Sequence, residues 1–143
     1  MNKPIRRKST EHKEQVKFIQ FVRTFHPELL CFAIPNGADV SASQRVRLVH
    51  EGMLMGVPDV MLIGKDLPIL AIEFKRPDGK GKVSDEQKAI HFHMESMGTI
   101  VKVVNTSDEG RWLLSEWLSG IYNEAQPTTA RSPAEVGAAG RSA

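Results

Sequence analysis

Two carboxylates and one amine are spaced so that a tight hairpin would bring them together. They are Asp59, Glu73 and Lys75, and they flank a short turn at residues 64–68. If the turn centres on Asp66, residues whose numbers sum to twice 66 face each other, so Asp59 opposes Glu73. Opposed residues of an antiparallel pair have Cβ atoms about 4.5–5.5 Å apart, and alternate residues of a strand share a face. The spacing therefore predicts that these three side chains converge on one face.

The chemistry of this set follows from its charges. Two carboxylates at such a separation repel each other unless one is protonated or a cation lies between them. A hard divalent cation that prefers oxygen ligands, Mg²⁺ or Mn²⁺, relieves the repulsion and keeps positions for water and phosphate. Such an ion polarises a phosphate and activates its bound water, while the Lys75 ammonium orients that water or stabilises developing negative charge. These are the parts that hydrolysis of a phosphodiester requires.

A simpler interpretation of Glu73 and Lys75 is a solvated strand face with a weak ion pair, which is common for Glu-x-Lys. Two observations favour a site instead. Asp59 lies in the opposed register, and the alternate positions of the same strand are apolar: Leu70, Ile72 and Phe74.

Composition limits the class of protein. A chain of 143 residues suits one compact domain, and its 25% charged and 41% hydrophobic residues are typical of a globular protein. No apolar run could span a bilayer and no secretory signal is evident, so we expect no membrane partner and a cytoplasmic location, in a bacterium or a phage-infected host. The single cysteine, Cys31, excludes an intrachain disulfide, and its apolar neighbours indicate a buried thiol.

The net charge of +2 is too small to identify a nucleic-acid-binding protein by itself, but the basic residues are clustered. Residues 1–8 form a basic N-terminal arm, and Arg76, Lys80 and Lys82 surround a glycine-rich loop just after the candidate site. Arg45 and Arg47 lie on an amphipathic segment. All five named side chains are candidates for phosphate contacts, although charged segments of this kind are often simply solvated.

Periodicity and turn residues predict the remaining elements. We expect helices over residues 11–24, 85–97 and 108–122, the first capped by Ser9 or Thr10 and the second by Ser84. The first helix carries an apolar stripe that includes Phe18 and Phe25. Strands are predicted at 30–34, 57–63, 68–75 and 99–104, with a helical or irregular segment at 41–55. Domain organisation is then the arm at 1–8, one folded domain at 9–122 and a disordered tail at 123–143.

Five segments, in this order, resemble the VRR-NUC family of the PD-(D/E)xK nuclease superfamily, in its stand-alone phage and bacterial form. They are Glu-His-Lys-Glu-Gln at 11–15, Ile-Pro-Asn-Gly at 34–37, Glu-Gly-Met-Leu-Met-Gly-Val-Pro-Asp at 51–59, Ile-Glu-Phe-Lys at 72–75 and Ser-Asp-Glu-Gln at 84–87. The resemblance implies an α/β fold with a restriction-endonuclease-like αβββαβ core, in which helices flank a mixed sheet.

The resemblance also implies roles for particular residues. Asp59 and Glu73 would be metal ligands, helped by the backbone carbonyl of Phe74, and Lys75 would act on the attacking water. Gln87 would hold water or substrate beside the metal.

A further carboxylate would come from the first helix. Glu11 fits the family's Glu-x-x-x-Gln start, and Glu14 is a rival because the start of that helix is uncertain. Asn36 belongs to a Pro-Asn-Gly turn that resembles one near the family's substrate groove, although Asn-Gly is also an ordinary turn.

By resemblance, the expected activity is a Mg²⁺- or Mn²⁺-dependent, structure-specific DNA endonuclease that resolves four-way (Holliday) junctions, without an organic cofactor. Two cuts on opposed strands would suit a two-fold symmetric homodimer. The alternatives are a branched-DNA binding module without catalysis, a flap or nicking nuclease of the same fold, and a restriction-like nuclease with sequence preference.

Overall fold

The computed structural model describes residues 9–35 and 40–123. The basic arm at 1–8, the proposed DNA contact Asn36 and the tail from residue 124 therefore lie outside the described residues. Four helices and four strands follow one another in the described part: α1 (Ser9–Phe25), β1 (Leu30–Ala33), α2 (Ala42–His50), β2 (Val60–Ile63), β3 (Leu70–Phe74), α3 (Asp85–Ser96), β4 (Ile100–Val104) and α4 (Ser107–Leu118).

The strands form one mixed sheet in the order β1-β2-β3-β4. The pairs β1–β2 and β2–β3 are antiparallel, and β3–β4 is parallel with α3 as its crossover. Met61 pairs with Ala71 and Leu62 with Leu70, which is the register predicted for a turn centred on Asp66. Asp66 has a φ of 59°, a left-handed conformation that aspartate tolerates in turns. The α/β class and the mixed sheet flanked by helices are confirmed.

The hydrophobic core lies between one face of the sheet and helices α1 and α4. Phe18 from α1 and Trp117 from α4 are fully buried there, among apolar residues of β2 and β3. A Cβ atom at Gly110 would lie 2.8 Å from Cδ2 of Phe18, so α1 and α4 can approach closely only because that residue is glycine. The Trp117 indole donates a 2.8 Å hydrogen bond to the carbonyl of Pro68, which fastens α4 to the hairpin turn.

Strand β3 is buried along its whole length, on both faces. Glu73 is only 2% exposed although it is an acid. The interpretation of Glu73 and Lys75 as a solvated strand face is therefore wrong.

Several element ends and exposures differ from the sequence predictions. Helix α1 begins at Ser9, so the predicted cap positions Ser9 and Thr10 lie within the helix. Phe25 is 66% exposed, because it stacks on the ring of Phe21 at a centroid distance of 4.9 Å instead of reaching the core. The two hairpin strands, β2 and β3, are shorter than the predicted ranges 57–63 and 68–75.

The segment between β1 and β2 is a capped helix that buries none of its residues. The Ser41 side chain and Gln44 form a capping box at the start of α2. Val46 and Val49 are exposed, and they line an apolar cleft of about 660 Å³ with Val40, Ala42, Arg45 and His50. Among the described residues, no helix combines the length and apolarity that a bilayer crossing needs.

Candidate metal and phosphate site

Asp59 is held by backbone amides on both sides, one bound to its carbonyl oxygen and one to its carboxylate. The residue immediately precedes β2, and its carbonyl oxygen accepts a hydrogen bond of 2.8 Å from the amide of Ile34 beyond β1. On the other side, its Oδ2 atom accepts a 2.8 Å hydrogen bond from the amide of Phe74 in β3. The hairpin therefore brings Asp59 to the end of β3 that carries Glu73.

Glu73 is held by two side chains that bind the same oxygen. The Gln87 amide donates to Glu73 Oε1 at 2.6 Å, and the Lys75 ammonium lies 2.9 Å from that atom. Lys75 also donates to Gln87 Oε1 at 3.0 Å. Glu73 Oε2 is buried and has no hydrogen-bond partner among the described residues. The site thus leaves one carboxylate oxygen unpaired in a buried position.

Gln87 reaches the site because it belongs to the first turn of α3. Ser84 caps this helix as predicted, and its amide donates a 2.9 Å hydrogen bond to Gln87 Oε1. The segment before Asp59 passes close to this turn: a Cβ atom at Gly56 would lie 3.0 Å from the backbone of Glu86. The capping box and this close contact hold the start of α3 against the segment that leads into the hairpin.

The pKa values of both carboxyl groups are raised. Burial raises the pKa of Asp59 to about 6, with a further contribution from the negative charge of Glu73, while the Phe74 amide and Lys75 oppose the shift. Burial also raises the pKa of Glu73, against the opposing effects of Lys75 and Gln87. The ionised pair is therefore unfavourable in this protein by itself, and a bound cation would favour it.

The two candidate acids of α1 have different surroundings. The charge of Glu11 acts on both carboxyl groups of the site and raises their pKa values. Glu14 instead accepts a 2.7 Å hydrogen bond from the amide of Ser107 at the start of α4, which lowers the pKa of Glu14, and it pairs with Lys17. The structure therefore brings Glu11, and not Glu14, into the electrostatic environment of Asp59 and Glu73.

The chemistry of these residues suits a hard cation that prefers oxygen ligands. Within the described ranges, no three His, Cys, Asp or Glu side chains are grouped to hold an ion by themselves. Two carboxylates with one unpaired oxygen suit a hard cation that also takes a backbone carbonyl and water, as Mg²⁺ and Mn²⁺ do. They do not suit a closed zinc site.

The candidate phosphate contacts have mixed surroundings. Arg76 forms an ion pair with Asp78, and the amide of Lys80 donates to the same carboxylate, which orders the loop after β3. Gly81 packs against Lys75, since a Cβ atom there would lie 3.1 Å from the Cβ of Lys75. The loop that carries Lys80 and Lys82 therefore folds back beside the site.

The other two candidate phosphate contacts, Arg45 and Arg47, lie on helix α2. Arg47 pairs with Glu51 at 2.7 Å, on the solvent side of the helix. Arg45 lines the apolar cleft.

Sequence reasoning did not assign a role to His91. His91 and His93 lie on different faces of α3, since His93 is exposed whereas His91 is only 8% exposed. The sequence spacing could have connected His91 to the site, because His91 stands four residues after Gln87 and so lies on the same face of the helix.

Comparison with known proteins agrees with this architecture. A solved structure described as a VRR_NUC domain protein matches the chain with a TM-score of 0.61 and 17% sequence identity, over 77% of this chain and 88% of that one. No family model matches the sequence, and no curated protein matches it. The chain therefore has a VRR_NUC-like fold.

Proposed function

We propose that this protein is a metal-dependent endonuclease that hydrolyses phosphodiester bonds of DNA. One observation carries the proposal: Glu73 is buried beside Asp59, its Oε1 atom is bound by Lys75 and Gln87, and its Oε2 atom has no hydrogen-bond partner within the described part of the chain. A buried acid with an unpaired oxygen is costly unless a cation or donor completes it. The likeness of the fold to a VRR_NUC domain protein supports the same function.

Asp59, Glu73 and the carbonyl oxygen of Phe74 would hold Mg²⁺ or Mn²⁺. Such an ion, when bound, lowers the pKa of a coordinated water and neutralises charge on the phosphate. Lys75 has three N–H groups, of which two are directed to Glu73 and Gln87. The third would donate to the attacking water or to a phosphate oxygen. Gln87 fixes the direction of the Lys75 side chain, because its Oε1 accepts from both Lys75 and the helix cap.

The substrate within this class is proposed to be branched DNA, with resolution of four-way junctions by a homodimer. Resolution needs two cuts on opposed strands, and a two-fold pair of sites supplies them. Helices α2 and α4 expose apolar side chains, among them Val46, Val49 and Trp112, which are suited to a subunit interface.

Cleavage assays test the proposal. Labelled four-way junction, 5′ flap and plain duplex DNA would be incubated with Mg²⁺, with Mn²⁺ and with chelator. The variants are Lys75→Ala and, as a matched control, Lys65→Ala, since Lys65 is exposed in the hairpin turn. We expect metal-dependent cleavage by the wild type and the control only, with paired nicks across the junction. Binding of branched DNA by a folded wild type that cleaves no substrate would favour the binding module instead.

A further inference from the structure

A second unpaired buried atom lies on the helix face that meets the candidate site. Among the described side chains, the buried nitrogen and oxygen atoms without a hydrogen-bond partner are Glu73 Oε2 and His91 Nε2. The first belongs to the proposed metal site. His91, the residue that carries the second, has no part in the mechanism above.

The position of His91 connects it to that site. Residues four apart on a helix lie on the same face with Cβ atoms about 5–6 Å apart, so His91 lies one turn beyond Gln87. Gln87 itself contacts Glu73 and Lys75. His91 is only 8% exposed, and the charges of Asp59 and Lys75 both act on its imidazole.

Burial favours the neutral form of the His91 imidazole. Burial lowers the pKa of its imidazole, and the Lys75 charge lowers it further, while the carboxylates of Glu95 and Asp59 oppose the shift. A neutral imidazole has one nitrogen that donates and one that accepts. Buried polar atoms are almost always hydrogen-bonded. We therefore expect the Nε2 atom to bind an uncharged partner, such as a water molecule.

On the basis of the proposed function, we propose that His91 is a positioning residue whose Nε2 atom holds a buried water against the Asp59 and Lys75 end of the site. Buried waters of this kind join polar groups that do not reach each other directly. Groups that hydrogen-bond to metal ligands from behind orient them, and their loss typically weakens metal binding by about 10–100-fold. His91 would act on the Asp59 carboxylate and on Lys75 in this way, without touching substrate.

Calorimetric titration with Mg²⁺, in the absence of DNA, tests the inference. The variants are His91→Leu, His91→Gln and the matched control His93→Leu, which makes the same change at an exposed position of α3. We expect His91→Leu to weaken Mg²⁺ binding by about tenfold or more. His91→Gln should stay close to the wild type, because its amide reaches about as far as Nε2. The control should bind as the wild type does.

Urea unfolding in chelator separates this role from a purely structural one. In chelator, His91→Leu loses the hydrogen bond to the proposed water but buries additional apolar surface, so its metal-free stability should stay close to that of His91→Gln. Unchanged Mg²⁺ affinity in His91→Leu would overturn the inference and leave the proposed function intact. Equal loss of stability and affinity in both His91 variants would also overturn it. A wild type that binds no Mg²⁺ would overturn the proposed function itself.

Discussion

Gln87 joins the cap of helix α3 to the carboxylate of Glu73. Its Nε2 atom donates to Glu73 Oε1 at 2.6 Å, while its Oε1 atom accepts from the amide of Ser84 and from Lys75. One amide side chain therefore closes the capping box of the helix and holds the site. The start of α3 and the buried acid of β3 are fixed together, so the geometry of the site depends on the helix terminus.

Gln87→Glu would separate these two roles. Glutamate still accepts from the Ser84 amide in a capping box, but it loses the donor to Glu73 and adds a negative charge beside it. In chelator at about pH 8, we expect the free energy of unfolding to fall by roughly 1–3 kcal/mol. The loss should shrink near pH 5, where protonation relieves the repulsion. Urea unfolding at both pH values measures this, and equal stability of variant and wild type at pH 8 would contradict the account.

Glu11 and Glu14 should have opposite effects when each is replaced by alanine. Glu14→Ala removes the acceptor for the Ser107 amide at the start of α4, so we expect a loss of about 1 kcal/mol in stability with metal affinity retained. Glu11→Ala should not lower metal-free stability, because the Glu11 charge opposes ionisation of Asp59 and Glu73. It should weaken Mg²⁺ binding and cleavage. Thermal unfolding and Mg²⁺ titration of both variants would show the reverse pattern if Glu14 were the site acid.

The raised pKa of Asp59 predicts an unusual pH dependence of stability. Because the pKa of Asp59 is about 6 in the folded chain and its ordinary value is 3.8, the folded state binds the proton more tightly. The resulting stabilisation is fully present below about pH 4 and is lost as the pH rises through 6. In chelator, Asp59→Asn should therefore be more stable than the wild type at about pH 7.5, by on the order of 2 kcal/mol after allowance for partial solvent exposure.

The same pair of proteins provides the control for that prediction. At about pH 4 the two stabilities should converge, since Asp59 is then protonated. Addition of Mg²⁺ at about pH 7.5 should stabilise the wild type and not the variant, because an ion that binds only the folded state shifts the equilibrium towards it. An Asp59→Asn variant that is less stable at every pH would show that the carboxylate is well solvated and paired.

Gly56 and Gly52 offer a matched test of the contact between the hairpin and α3. Both have positive φ, at 88° and 103°, so alanine is strained at either position. Only at Gly56 would the new Cβ atom meet backbone, 3.0 Å from the carbonyl group of Glu86; at Gly52 nothing lies within 4 Å. We expect Gly56→Ala to lose more stability than Gly52→Ala, and to lose cleavage because the start of α3, which carries Gln87, is pushed away from the site. Equal effects in urea unfolding and cleavage assays would refute this.

The parts of the site that could be predicted from the sequence depend on local rules. Strand alternation and the turn at Asp66 determine the hairpin register, and the Ser84 to Gln87 spacing determines the capping box. These rules connect residues that are near in sequence or that face each other across one hairpin turn. They were sufficient to bring Asp59, Glu73 and Lys75 to one end of the sheet.

The remainder depends on contacts between distant elements. The Glu14 to Ser107 hydrogen bond joins residues 93 positions apart, so no local pattern could distinguish Glu14 from Glu11. Phe25 is exposed at the end of α1 and His91 is buried in α3, and both results depend on how the helices pack in three dimensions. Periodicity identifies the apolar side of a helix, but the extent of the surface that covers it is a tertiary property.

The central claim is that Asp59 and Glu73 form a cation site. Calorimetric titration with Mn²⁺ tests it most directly, with the wild type, Glu73→Gln and the control Glu86→Gln, which changes an exposed acid of α3. The account predicts saturable binding by the wild type and the control, and loss of binding in Glu73→Gln, which should remain folded in chelator. Equal Mn²⁺ binding by Glu73→Gln and the wild type would contradict it.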